Sequence, residues 1–220
     1  MSNVFSGHIP GSAKVGLALA AVLIVLLPAV VGGQWVAILT STSCFILTAA
    51  GVAFMYARLG MVSLGQVALM GVGGWVMLRM NHAFNFPFEI NLMVAGGVTL
   101  VFGWLLSIPA LKMRGLYLAL VTLMAAGGLE VIFSTFRFPN GGDGFWGVMP
   151  SVAAPFRRPM LAEADDAYLR YVLVVVVLGF LLIELHRRLA PGRAWAMIRR
   201  SEAAALASGV NIIYYKAWAF

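Results

Sequence analysis

Residues Tyr171 to Arg200 read YVLVVVVLGFLLIELHRRLAPGRAWAMIRR. The first half, Tyr171–Leu185, is apolar apart from Glu184, and a helix needs about 20 largely apolar residues to cross a bilayer. The second half turns abruptly basic and continues through Ser201-Glu202-Ala203-Ala204-Ala205-Leu206-Ala207-Ser208-Gly209-Val210-Asn211. Charged residues are only 10% of the chain. An oily chain that gathers its charge on one amphipathic loop is presenting that loop to something in the cytoplasm. The expectation is an all-α membrane domain worked by a soluble partner.

Composition agrees. Hydrophobic residues make up 62% of the 220 residues, and the mean hydropathy is +0.94. A soluble domain carries about 25% charged residues, so there is too little polar surface here to coat a globule. Cys44 is the only cysteine, which excludes an internal disulfide and a cysteine-built metal site. The net charge of +7 does not indicate nucleic acid, because no basic patch interleaves with stacking aromatics. In a membrane protein such charge usually sets topology.

Outward from the quoted stretch, five further apolar runs read as spans: Val15–Val31, Trp35–Tyr56, Val62–Leu78, Leu92–Leu111 and Gly115–Phe133. The first could be a signal peptide, since Lys14 precedes it. Its length and the spans behind it favour a retained anchor. A seventh run begins at Tyr214 but stops at Phe220, so the chain is expected to be an incomplete domain, residues 1–220, with a loop from 186 to 216.

Lysines and arginines orient the spans. With the quoted loop inside, Lys14, Arg58, Lys112, Arg114, Arg187, Arg188, Arg193, Arg199, Arg200 and Lys216 are cytoplasmic. Arg79, Arg137, Arg157, Arg158 and Arg170 are outside, a split of about two to one in the direction of the positive-inside rule. The outside arginines sit mostly between Ser134 and Arg170, beside Asp143, Glu163, Asp165 and Asp166.

No catalytic constellation is present. There is no Gly-x-x-x-x-Gly-Lys-Ser/Thr loop for ATP phosphates and no Gly-x-Ser-x-Gly elbow. His8, His82 and His186 lack ligand spacing. Asn140-Gly141-Gly142-Asp143-Gly144 reads as tight turns. No cofactor and no metal are expected. Glu130 lies within the fifth span, where a carboxylate costs at least ~2.5–3.5 kcal/mol unless paired or hydrated. It is a polar contact in a pathway or an acid reaching water at the outer helix end. The glycines of the third span, Gly65, Gly71, Gly73 and Gly74, mark close helix packing or a broken, pathway-lining segment. Pro109 kinks the fourth span or lies near its cytoplasmic end.

The loop reads more sharply. Pro191 and Gly192 break the sixth helix. Arg193–Arg200 suits a short helix with Trp195 and Ile198 on one side and Arg193 and Arg200 on another. Ser201 fits an N-cap, Glu202 the first turn, and Gly209 the C-terminal cap. Two short helices with a small-residue surface suit docking in a groove. An amphipathic helix resting on anionic lipid is the alternative.

These residues resemble a known family. Gly192–Asn211 is similar to the cytoplasmic loop of permease subunits in branched-chain amino-acid ABC importers, with its Gly-Arg-Ala start, Ile-Arg pair, capped Glu-x-Ala-Ala helix and Gly-hydrophobic-Asn exit. Leu59–Gln66 resembles the family's Gly-x-x-Ser-Leu-Gly-His/Gln motif opening the third span. Leu111–Leu123 resembles its Leu-Arg-x-Arg-Gly-x-Tyr-x-Ala-x-x-Thr-Leu segment, with Glu130 close to where the family often has an acid. Asn140–Gly144 resembles its Thr-Gly-Gly-x-x-Gly turn, with Asn140 replacing the Thr. The matches run from Leu59 to Phe220 in family order and favour the LivM-like branch over the LivH-like one. Leu206 stands where the family commonly has an acid.

The resemblance implies a multi-pass permease of the bacterial inner membrane with no chemistry of its own. It implies a LivH-like second permease, two ATPase subunits and a periplasmic substrate-binding protein as partners, with branched-chain amino acids as cargo and alternating access as mechanism. Arg193, Ala194, Trp195, Ile198, Arg199, Glu202, Ala204 and Gly209 are the implied ATPase-coupling residues. Ser63, Gly65, Gln66, Gly73 and Glu130 are pathway or packing candidates. Permeases for urea, short amides or sugars are the alternative within the class. A stand-alone secondary transporter, a channel or a membrane scaffold are the alternatives outside it.

Overall fold

In hydrocarbon no water satisfies the backbone, so each apolar run must close its own N–H and C=O groups, and the helix does this within one segment. The computed structural model describes residues 11–84, 86–111, 113, 116–135 and 158–220. Among them are nine helices and no strand. They are α1 Gly11–Val30, α2 Gln34–Leu59, α3 Gln66–Phe84, α4 Phe88–Ala110, α5 Leu116–Thr135, α6 Asp165–Arg188, α7 Ala190–Arg200, α8 Glu202–Ala207 and α9 Ile212–Ala219. The Asn140–Gly144 turn and the residues Lys112, Arg114 and Gly115 of the fifth-span motif lie outside the described residues, as do Arg137 and Arg157.

Among the described residues, four helices are long and apolar enough to cross a membrane: Gln34–Leu59, Phe88–Pro109, Tyr117–Thr135 and Asp165–Arg188. The first expected span is helical, and its shorter apolar part is Leu19–Val30. The third is helical too, but Arg79, Asn81 and His82 occupy its last turns and dilute its apolar character. Its start also differs from the expected Val62. Met61 to Gly65 form a non-helical segment, and the helix begins at Gln66. Pro109 lies in the last turn of α4 and produces no break within it.

α6 is longer than its apolar run because the flanking charges complement its dipole. Asp165 and Asp166 occupy the first turn, and His186, Arg187 and Arg188 the last. α2 and α6 lie against one another, α1 rests on α6, and α3 pairs with α4. At one end Phe88 of α4 meets Tyr168 and Tyr171 of α6 edge-on, with ring centres 6.5 and 5.9 Å apart. There the arginines read as outside are held by neighbouring acids: Arg158 by Asp165 at 2.6 Å and Arg170 by Asp166 at 3.5 Å. The short helices α7 to α9 gather at the opposite, basic end.

The hydroxyls follow the same rule as the backbone. Those of Thr40, Ser43, Thr99 and Thr135 each donate to the carbonyl four residues earlier at 2.7 Å. Ser107 donates to the Trp104 carbonyl at 2.6 Å. These hydroxyls are satisfied within their own helices.

Candidate functional site

The site is built where α6 ends. Leu189 is extended (φ −81°, ψ −176°) and separates α6 from α7. The break falls two residues before Pro191, not at Pro191-Gly192 as the sequence suggested. Proline instead sits in the first turn of α7, where its missing N–H has no intrahelical acceptor to lose. Gly192 is buried there, and a Cβ on it would collide with the Arg187 backbone, so this corner admits only glycine.

α7 then divides by face. Gly192, Ala194, Trp195 and Ile198 are buried, while Arg193, Arg199 and Arg200 are exposed. Trp195 is only 1% exposed. Its ring meets Phe54 of α2 edge-on with centres 5.2 Å apart, and its indole N–H donates to the Tyr215 carbonyl of α9 at 2.7 Å. Arg199 donates to the Ala57 carbonyl. Ala57 is in the last turn of α2, where carbonyls lack helical partners. Trp195 and Ile198 join Met55, Leu59, Met61, Leu118 and Ala205 in one apolar cluster. That cluster ties the loop to α2, to the segment after it and to the start of α5.

α8 is framed by local backbone chemistry. The Ser201 hydroxyl accepts from the Ala204 N–H at 3.3 Å and caps the start. At the far end Gly209 has φ 77°. Its N–H donates to the Leu206 carbonyl at 2.9 Å, and the Val210 N–H donates to the Ala205 carbonyl at 3.0 Å. This pair is the Schellman arrangement, and the left-handed residue it requires is Gly209. Asn211 then caps α9 by accepting from the Tyr214 N–H at 3.1 Å. The helix between these caps turns only Ala205 inward; Ala203, Ala204, Leu206 and Ala207 are exposed. Glu202 reaches the Lys216 ammonium of α9 at 2.8 Å. The surface is therefore a small, methyl-lined helix that follows directly on the exposed Arg199 and Arg200 at the end of α7, with Ala205 and Glu202 turned inward.

The coupling candidates from the sequence separate into two groups. Ala204, and on α7 Arg193, lie open to the outside. Trp195, Ile198 and Ala194 are turned into the protein and brace the loop. Glu202, read as a dipole partner, is in that first turn and also makes an inter-helix ion pair. Lys216, Phe54 and Tyr215 were missed as parts of this site. A lone lysine in the otherwise apolar run Ile212–Phe220 was the available signal for Lys216, since a buried ammonium needs a partner.

The pathway or packing candidates do not form one cluster. Ser63 is fully buried in the segment between α2 and α3. Next to it the Leu64 N–H donates to the Thr122 hydroxyl of α5 at 3.0 Å, and that hydroxyl itself donates to the Leu118 carbonyl at 3.0 Å. Gly65 lies against Thr122, where an added Cβ would sit 3.5 Å from the threonine Cβ. Gln66 turns the other way, towards Gly51 and the Met55 sulfur of α2, 3.4 Å from its amide nitrogen. Gly73 faces α4: an added Cβ would approach the Thr99 hydroxyl to 3.1 Å. Glu130 is exposed in the second-to-last turn of α5, away from the Ser63 segment. Among the described residues no group of histidine, cysteine, aspartate or glutamate could hold a metal.

Apolar spanning helices joined to a braced basic end define a polytopic helical membrane protein. Residues 34–220 match the pattern of the branched-chain amino acid transport system permease components, and the chain belongs to that family. It is similar to the high-affinity branched-chain amino acid transport system permease protein LivM of Salmonella typhimurium strain LT2, at 27% identity over 219 residues covering 90% of this chain and 52% of that protein. The LivM protein of Escherichia coli K12 matches with the same identity and coverage. The chain thus spans about half the length of the curated relatives it matches. No solved structure matches it.

Proposed function

We propose that the chain is part of a LivM-like permease subunit of an ABC importer that carries branched-chain amino acids across the bacterial inner membrane. In this reading it performs no covalent chemistry. A LivH-like permease completes the path, a periplasmic binding protein delivers substrate, and two ATPase subunits act on the basic end from the cytoplasm. Hydrolysis can bias the path only if the ATPase contacts two permease states differently. The docking element is the exposed face of α8 with Ala204, and the exposed Arg193 of α7 is a further candidate contact.

The observation that carries this reading is the combination of an outward α8 and an inward α7. A helix that merely rested on lipid would turn its large apolar side chains to the membrane. Here Trp195 and Ile198 point into the protein, and the outward face of α8 is mostly methyl groups with one leucine. Small side chains let a partner groove approach the backbone closely.

Gly209 supplies the test. A side chain at φ 77° costs roughly 1–2 kcal/mol in the left-handed region, and more when β-branched. Gly209→Val should reduce co-purification of the ATPase and leucine uptake while the permease still reaches the membrane. Unchanged co-purification in both Gly209→Val and Ala204→Glu would refute docking through α8.

A further inference from the structure

α8 is a short helix with one buried side chain, Ala205. Push on its outer face, and something must carry the displacement inward. Ala205 offers a single methyl contact. Besides its packing on α7, α8 is tied to α9 by the ion pair from Glu202 to Lys216, with the carboxylate oxygen 2.8 Å from the ammonium and side-chain exposures of 27% and 6%. Lys216 cannot turn to water without leaving its burial site, so the pair ties α8 to α9.

α9 leads on into the bundle. Its Tyr215 carbonyl accepts the Trp195 indole N–H. Beyond it, the Phe220 carbonyl lies against Gly103 of α4, 3.7 Å from where a Cβ would stand. Phe220 also lines a cavity of about 20 Å³ together with Gly65, Leu69, Pro109 and Thr122. Gly65 and Thr122 belong to the contact that fixes the Ser63–Gln66 segment to α5. A chain of packed groups therefore runs from α8 through one ion pair to the junction of α3, α4 and α5.

We propose that Glu202 and Lys216 form the link that transmits ATPase-driven movement of α8 to α9 and on to the α3–α4–α5 junction. Glu202 is then a positioning residue that faces inward, not a contact for the ATPase. The inference rests on the docking reading of α8. Spatial continuity alone does not establish coupling; a variant that separates hydrolysis from transport does.

The experiment uses the complete transporter in membrane vesicles. It measures leucine uptake, ATP hydrolysis, permease level and ATPase co-purification for Glu202→Gln, Lys216→Met and the exchanged pair Glu202→Lys with Lys216→Glu. Each single change is expected to lower uptake at least tenfold per permease while the ATPase stays bound and hydrolyses, so that ATP consumed per leucine rises. The exchanged pair is expected to restore most of the uptake. A simple loss of stability would lower the permease level and leave that ratio alone. Uptake within twofold of the parent in both single variants overturns the link. So does release of the ATPase by Glu202→Gln but not by Lys216→Met, which would make Glu202 a direct ATPase contact. If Lys216→Met fails to reach the membrane, the exchanged pair decides: a present and active protein supports the link, and an absent or inactive one overturns it. Failure of the unaltered permease to retain the ATPase would refute the docking reading itself, and is visible before any substitution is made.

Discussion

Replacing Trp195 with alanine should detach the loop from the bundle. Trp195 is 1% exposed, and truncating a buried tryptophan to alanine costs about 3–5 kcal/mol. The edge-on contact with Phe54 and the hydrogen bond to Tyr215 fall within that loss. At about 1.4 kcal/mol per factor of ten, the population of undocked loop should rise by roughly two to three and a half orders of magnitude. Ala205 reports on this, because it is fully buried in the same cluster while its neighbour Ala204 is exposed. In a Cys44→Ser background, Ala205→Cys should be protected from a thiol reagent and Ala204→Cys should react quickly. Adding Trp195→Ala should strip most of the protection from position 205 and leave position 204 unchanged. Trp195→Phe keeps most of the apolar bulk and loses the N–H donor, so its effect should be about tenfold or less, in line with ~0.5–1.5 kcal/mol for one hydrogen bond. Equal labelling of Ala205→Cys with and without Trp195→Ala would refute the bracing role.

Two further outcomes are expected. Single cysteines at Asp166 and Ser201, again without Cys44, should label with an impermeant reagent from opposite faces of the membrane; labelling from the same face would end the proposed topology. Gly73→Leu should destabilise the α3–α4 pair by ~1–3 kcal/mol, because the Thr99 hydroxyl it would strike is engaged with the Ala95 carbonyl at 2.7 Å. Gly74→Leu, with no atom within 4 Å of an added Cβ, should be tolerated, and equal membrane levels for the two variants would refute tight packing at Gly73.

Local chemistry was legible in the sequence, and contacts across the bundle were not. Ser201 and Gly209 could be assigned because capping and positive φ depend on a few neighbouring residues, whereas Pro191, read as breaking α6, sits in the first turn of α7. The spacing placed Trp195 and Ile198 together on one apolar side of α7, read as a face for the ATPase, because periodicity does not say what that side meets. The structure answers with Phe54, Tyr215 and the end of α2. The start of α3 was misjudged for a related reason. Val62 continues an apolar run, but the Leu64 N–H bonds to Thr122 of α5 instead of entering a helix. Apolar counting likewise stopped short of both ends of α6, since a helix continues through charges that suit its dipole. The partner of Glu202 lies a helix and a turn away, beyond any local pattern.

The self-satisfied hydroxyls carry a consequence for biosynthesis. A chain threaded into a membrane during translation meets hydrocarbon one segment at a time, before later segments exist. Thr40 and Ser43 in α2, Thr99 and Ser107 in α4 and Thr135 in α5 each close their donor on their own helix. These hydroxyls therefore do not wait for a partner from a later segment when their own segment leaves the insertion machinery. Thr122 differs: its hydroxyl also accepts from Leu64, a residue made earlier. That contact gives the arriving α5 a fixed position against helices already in the bilayer.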